Sequence, residues 1–178
     1  LMGNNLKIEN LIPKHIESLI LKLKEMGVNL EVYEDYIVIS KTDNLKPVNV
    51  KTLGYPGFPT DLQQPLTTLL ATCNGTSELE ETIYENRFQN LPYLNKMGAK
   101  ITGAGTSTIT IEGVNHLHSC IHEVIPDRIE TGTYEIIAAA MGENVTIKNI
   151  ISEHVESLNE KLQEMGVNLE VKENEVII

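Results

Sequence analysis

The feature that most constrains this chain is an internal repeat. Residues 2–39 and 141–178 align without a gap at a constant offset of 139, and 22 of 38 positions are identical. The head copy opens "MGNNLKIENLIPKHIESL" and the tail copy opens "MGENVTIKNIISEHVESL". Segments this alike fold alike, so the chain is made of supersecondary units that bury their apolar faces against neighbours. Within the unit, "LKIENL" and "VTIKNI" alternate as strands. Ile16, Leu19, Ile20, Leu23 and Met26 follow at helical spacing, and Gly27 marks the helix end. "VNLEVYEDYIVI" then reads as a hairpin turning near Glu34 and Asp35.

The middle of the chain runs through the same plan with different residues. "PVNVKTL" predicts a strand, residues 60–73 a helix and "GTSELEETI" a strand. "YENRFQNLPYLNKMG" contains a second helix, and "AKITGAGTSTITIEG" is a hairpin. The result is a β-α-β-α-β-β unit. "CIHEVI" as a strand and "DRIETGTYEIIAAAMG" as a helix, joined to the tail copy, fit the same template. The expected organisation is one α/β domain of two and a half units: a half unit at 2–39, a full unit at 47–113 and a full unit at 114–178. Leu19, Leu23, Leu66, Leu69, Leu70, Ile136, Ala139, Leu158 and Leu162 are the expected helical contributions to the core. Ile20 and Leu21 of the head become Asn159 and Glu160 in the tail, which predicts a more deeply buried head helix and a tail helix with one more solvated side. His15 and His154 occupy the same position beside the helix start and read as surface or capping residues.

Charge narrows the function classes. The formal net charge is −11, which argues against nucleic-acid and anionic-membrane partners, since both need a basic footprint. No apolar run approaches the ~20 residues of a membrane span, and the N-terminus shows no signal-peptide pattern. Cys73 and Cys120 lack metal-ligand spacing; two free thiols of a cytoplasmic protein are expected ahead of a disulfide between them, and no metal and no cofactor is expected.

One stretch raises a chemical question. In "PGFPTDLQ", Asp61 stands at the mouth of a helix behind a rigid Pro-Gly-Phe-Pro loop. It can cap or charge-stabilise that helix, as Thr60 can, or it can act as a proton acceptor. By residue type alone, Ile83 is a core residue and Arg87 a surface cation. Asp127 and Arg128 stand in their unit where Thr60 and Asp61 stand in theirs. Gly103 and Gly105 in "TGAGTST" lack the Lys and following helix of a phosphate loop and read as a hairpin turn.

"GYPGFPTDLQQ", "ETIYENRFQNLPYLNKMGA" and "VIPDRIETGTYEIIAAA" resemble the UDP-N-acetylglucosamine 1-carboxyvinyltransferase family, enolpyruvyl transferases related to the shikimate-pathway enzyme. The resemblance implies an inside-out α/β fold of β-α-β-α-β-β units, helices inside and sheets outside. It implies transfer of enolpyruvyl from phosphoenolpyruvate to the 3-hydroxyl of UDP-N-acetylglucosamine in peptidoglycan synthesis, with phosphate released through a tetrahedral intermediate. It assigns the base to Asp61, substrate contacts to Asp61, Ile83 and Arg87, and a weaker cleft role to Asp127 and Arg128. The family's N-terminal Lys-Asn pair, loop cysteine and later "TDLR" segment have no match here, and the segment order is permuted. The implied enzyme is therefore incomplete in this chain. The alternative is a non-catalytic domain that binds sugar nucleotide or associates with itself. Two similar half-units competing for one docking site also predict a homodimer.

Overall fold

The computed structural model describes residues 5–178; positions 2–4 of the expected half unit lie outside the described residues. The chain divides into two compact units, one running through Ile121 and the other His122–Ile178.

The first unit begins with β1 (Leu6–Glu9), a single 3-10 turn (Pro13–Ile16), α1 (Glu17–Glu25), β2 (Leu30–Val32) and β3 (Tyr36–Ile39). These strands pair antiparallel in the order β1-β3-β2. The helix stops where the sequence predicts, because Gly27 takes φ +84°, a conformation that side chains with a Cβ resist. There follow β4 (Val50–Lys51), a 3-10 turn (Thr60–Leu62), α2 (Gln63–Leu70), β5 (Thr76–Glu80), α3 (Leu91–Lys96), β6 (Lys100–Thr102) and β7 (Thr108–Glu112). Their sheet is ordered β4-β5-β7-β6, with β4 parallel to β5 and the remaining pairs antiparallel.

Alternation sets which face each strand buries. Ile109 and Ile111 of β7 are fully buried, whereas Thr108, Thr110 and Glu112 between them face water. The same holds for Ser77 and Leu79 of β5 against Thr76 and Glu78. The buried faces meet Leu66 and Leu70 of α2 and Leu91 and Leu94 of α3 in one continuous core, which Met26 and Val28 join from the head copy. Helices therefore lie inside and sheets outside in this unit. Leu19, Leu23 and Leu69 pack against the same core, partly buried. Two backbone-directed bonds fasten the head copy to the rest: Lys46 N–H donates to the Met26 carbonyl (2.9 Å), and Lys22 Nζ donates to the Asn49 carbonyl (2.8 Å).

Residues 113–127 carry no helix or strand. The strand expected over "CIHEVI" is not formed, and Ile121, Val124 and Ile125 are exposed. A strand is held by its ladder, and no ladder forms over residues 120–125. The second unit consists of α4 (Arg128–Met141), β8 (Thr146–Lys148), a 3-10 turn (Ser152–His154), α5 (Glu156–Glu164), β9 (Glu170–Val171) and β10 (Glu175–Ile177). Its strands pair antiparallel in the order β8-β10-β9, the same layout as the head copy.

Two expectations fail in this unit for one reason. Ile136 is exposed, because α4 buries the ridge of Thr131, Gly132, Glu135 and Ala138 instead. That ridge is the one on which α5 can approach closely: a Cβ on Gly132 would lie 2.9 Å from Leu158 Cδ2. Asn159, expected on a solvated side, is buried on α5, while Leu21 of the head copy is exposed. Apolar arc width misled here because burial follows the close approach of α5 to α4 at Gly132 and Leu158 and not the apolar count of either helix. Leu162 is buried as expected, and Leu158 and Ala139 are partly buried.

Candidate functional site

The site is built from the loop that begins at Leu53. Leu53 N–H donates to the Phe58 carbonyl (2.9 Å), and Gly57 N–H donates to the Gly54 carbonyl (2.8 Å), closing a tight turn. The Tyr55–Pro56 peptide is cis. Phe58 is buried and plugs the loop into the core, and Pro59 leads out of it with extended dihedrals. The chain then enters the 3-10 turn at Thr60, so Asp61 emerges at the start of the helical segment, with its side chain 82% exposed.

Asp61 does not cap that helix. No side chain caps either the 3-10 turn or α2. Arg87 Nη2 instead donates to Asp61 Oδ1 at 2.5 Å, a charge-assisted bond that orients both groups. Arg87 also stacks over the Tyr84 ring, 5.0 Å from its centroid. Thr60, the other capping candidate, donates its hydroxyl to Glu81 Oε2 (2.7 Å).

Glu81 lies just past β5 and is 4% exposed. Its Oε1 accepts from Thr52 Oγ1 (2.9 Å), Ile83 N (2.9 Å) and Tyr84 N (3.2 Å). Burial alone pushes its carboxyl up, but the bonds from Thr60, Ile83, Thr52 and Tyr84 together outweigh that and hold it below the usual range. Ser107 accepts from the Glu81 backbone N–H at 2.8 Å, which ties the β6–β7 hairpin to the same point.

These segments enclose an open cleft of about 400 Å³, lined by residues 81–88 on one side and by Gly105, Thr106 and Ser107 on the other. The hairpin turns as read from the sequence: Gly103 takes φ +90°, and Thr106 N–H donates to the Gly103 carbonyl (3.1 Å). Arg87 is the one cation lining this cleft among the described residues. A groove of about 460 Å³ lies elsewhere, beside α1 and β4. Its two lysines are already paired, Lys51 with Glu80 of the groove and Lys22 with the nearby Glu25, and neither Ile83 nor Arg87 lines it.

Of the residues singled out in the sequence, the structure brings Asp61, Ile83 and Arg87 together. Asp127 and Arg128 belong to the second unit. There Asp127 caps α4, its Oδ1 accepting from Ile129 N at 2.7 Å, and Arg128 is the first residue of the helix. Sequence reasoning missed Glu81, Tyr84 and the Thr106–Ser107 wall. A charged residue ending a strand among "ELEET" gives no local sign that it turns inward. Among the described residues no group of three or more His, Cys, Asp or Glu converges to hold a metal, and no helix is long and apolar enough to cross a membrane.

The sequence profile of the EPSP synthase (3-phosphoshikimate 1-carboxyvinyltransferase) family matches residues 1–102 and again 89–178. The chain is 41% identical over 172 residues to UDP-N-acetylglucosamine 1-carboxyvinyltransferase 2 of Shouchella clausii, covering 94% of this chain and 39% of that protein. It is 43% identical over 166 residues to the enzyme of the same name from Geobacillus kaustophilus, covering 91% and 38%. The corresponding enzyme of Bacillus subtilis is 41% identical over 173 residues, covering 94% and 39%. The chain thus spans about two-fifths of the length of these relatives. Among solved structures, EPSP synthase from Acinetobacter baumannii superposes with a TM-score of 0.60 at 18% identity, over 92% of this chain and 39% of that one. The enolpyruvyl transferase NikO from Streptomyces tendae gives 0.55 at 24% identity, over 62% and 26%. These two likenesses concern the fold.

Proposed function

Because the chain belongs to the EPSP synthase family, we propose that its first unit carries the sugar-nucleotide side of an enolpyruvyl transfer. In this reading UDP-N-acetylglucosamine occupies the cleft between residues 81–88 and 105–107, with Ile83 and Arg87 in contact with it. The observation that carries the reading is the Asp61–Arg87 pair: a carboxylate free of capping duty, exposed, and bonded to the cation that lines the cleft. Asp61 accepts the proton of the sugar 3-hydroxyl as that oxygen attacks phosphoenolpyruvate. The sugar oxygen bonds to C2 of phosphoenolpyruvate as a proton adds to C3, giving a tetrahedral intermediate; loss of a C3 proton then re-forms the double bond as phosphate leaves, and the product is the enol ether. An ionised carboxylate within hydrogen-bond reach of the hydroxyl suffices for the first step.

Phosphoenolpyruvate brings a phosphate and a carboxylate, and stabilising both calls for several cations. Among the described residues Arg87 is the only one lining the cleft, and Asp61 already neutralises it. Turnover therefore draws on residues beyond this cleft, and nucleotide binding is the activity this unit carries itself. A cytoplasmic role in peptidoglycan synthesis goes with this reading.

Titration of UDP-N-acetylglucosamine, with and without phosphoenolpyruvate, tests the proposal. Saturable binding, and phosphate release that needs both substrates when a complementing domain is supplied, support it. Asp61→Asn should then abolish release and leave folding intact. Absence of binding at millimolar nucleotide rejects it.

Self-association is part of the same reading. Met165 is 79% exposed in the tail copy, whereas its counterpart Met26 is wholly buried in the head copy. An uncovered helix end with the same sequence as a covered one invites a second chain. Sedimentation at several concentrations checks this, and a monodisperse monomer at high concentration rules it out.

A further inference from the structure

Resting on the reading of the cleft as a sugar-nucleotide site, we infer that Glu81 is the positioning residue of that site. Its buried carboxylate locks the Thr60–Asp61 turn and the Ile83–Arg87 loop into one relation, so that Asp61 and Arg87 meet at the cleft. Glu81 itself touches no part of the substrate. Four donors from three separate segments converge on its two oxygens: the hydroxyls of Thr52 and Thr60, and the backbone N–H groups of Ile83 and Tyr84. An ionised carboxylate is acceptor-only and has room for all four, which neither an amide nor an apolar side chain can offer.

The surrounding bonds fix the Thr52 donor. Thr52 Oγ1 already accepts from Thr82 N (2.9 Å), so its own hydrogen is free for Glu81. The Thr82 hydroxyl donates to the Thr52 carbonyl (2.5 Å), closing a ring of bonds between the end of β4 and the end of β5. The third wall is tied in by the bond from Glu81 N–H to Ser107. Asp61 and Arg87 are 26 residues apart and mostly on loops, and long flexible side chains so placed are costly to hold in register. Both are attached within one to four residues of a group that Glu81 binds. A preorganised pair loses less freedom when substrate arrives.

Two variants separate the arms. Glu81→Gln keeps the volume but turns an NH₂ toward one of the donors. Thr60→Val cuts only the arm to Asp61. The full chain is titrated with UDP-N-acetylglucosamine by calorimetry, and the Arg87 guanidinium and the Ile83 and Tyr84 amides are followed by ¹⁵N NMR. Glu81→Gln should bind about tenfold more weakly, the loss expected of one charge-assisted hydrogen bond, and should lose the slowly exchanging guanidinium signal. Thr60→Val should weaken binding and the guanidinium signal while the two amides stay protected. A purely structural role would lower the unfolding temperature without moving either signal in the folded protein. If Glu81→Gln does not fold, Thr60→Val decides alone. A wild-type chain that binds no nucleotide overturns the sugar-nucleotide reading, and the guanidinium and amide signals still judge Glu81. Unchanged affinity and an unchanged guanidinium signal in the variants overturn the inference.

Discussion

Neutralising Glu135 should stabilise the second unit at neutral pH. Glu135 is fully buried on α4, and neither carboxylate oxygen has a hydrogen-bond partner. Asn159, buried on α5, is equally unpartnered. Burial pushes the Glu135 carboxyl up from the ordinary 4.5 to about 6. A folded-state value above the unfolded one means that the native state prefers the protonated acid. The associated stability is fully present below pH 4.5 and is lost as pH rises through about 6. At 1.36 kcal/mol per pH unit, ionising the buried acid costs the unit about 2 kcal/mol by pH 8. Glu135→Gln mimics the protonated form, so it should match wild type near pH 4 and exceed it by about 2 kcal/mol at pH 8. For a small unit with a urea slope near 1 kcal/mol/M, the midpoint of the second unit moves up by about 2 M. Urea denaturation at both pH values, followed by hydrogen exchange in peptides spanning α4 and α5, reads this directly. Other titrating groups contribute equally to both proteins and cancel in the difference. A glutamine variant less stable than wild type at pH 8, or one with the same pH dependence, would refute the reasoning.

Phe58→Ala should destabilise the first unit by about 3–5 kcal/mol, since it leaves a core cavity, and should loosen the loop that presents Asp61; thermal unfolding and nucleotide affinity report the two effects. Asp127→Ala removes the α4 cap and should cost about 1 kcal/mol, with fraying visible in the Ile129 amide exchange and no change in nucleotide affinity. Cys73 is buried, and that burial raises its thiol to about 11, whereas Cys120 is exposed. A disulfide reagent at pH 8 should therefore titrate one thiol in the native chain and two after unfolding.

Much of the fold was legible because its signals are local. Alternation in "TSTITIE" marks β7, Gly27 ends α1, and the helical spacing of Leu66 and Leu70 marks the buried face of α2. The "FPTD" and "ENRF" stretches pointed to Asp61 and Arg87, which pair in the structure. Glu81 escaped notice because nothing in a strand's own residues says that a carboxylate will meet four donors from other segments. The strand expected at "CIHEVI" shows the converse failure: half of its residues are β-branched, but pairing depends on an edge elsewhere.

The repeat sharpens the division. By itself the sequence determined the elements of both copies, their order and their turns. The stretch "EMGVNLEV" occurs at 25–32 and again at 164–171, and each copy forms the same helix end and hairpin. Tertiary structure alone decided what each copy buries. Met26 is sealed in the core of the first unit, while Met165, with identical neighbours, stands in solvent. Likewise α1 buries Ile20, while α5 buries an asparagine at the same position. Local geometry follows from dihedral preference and capping, which a residue carries with it. Burial is a property of the surface opposite, and that surface is contributed by residues far away in the chain.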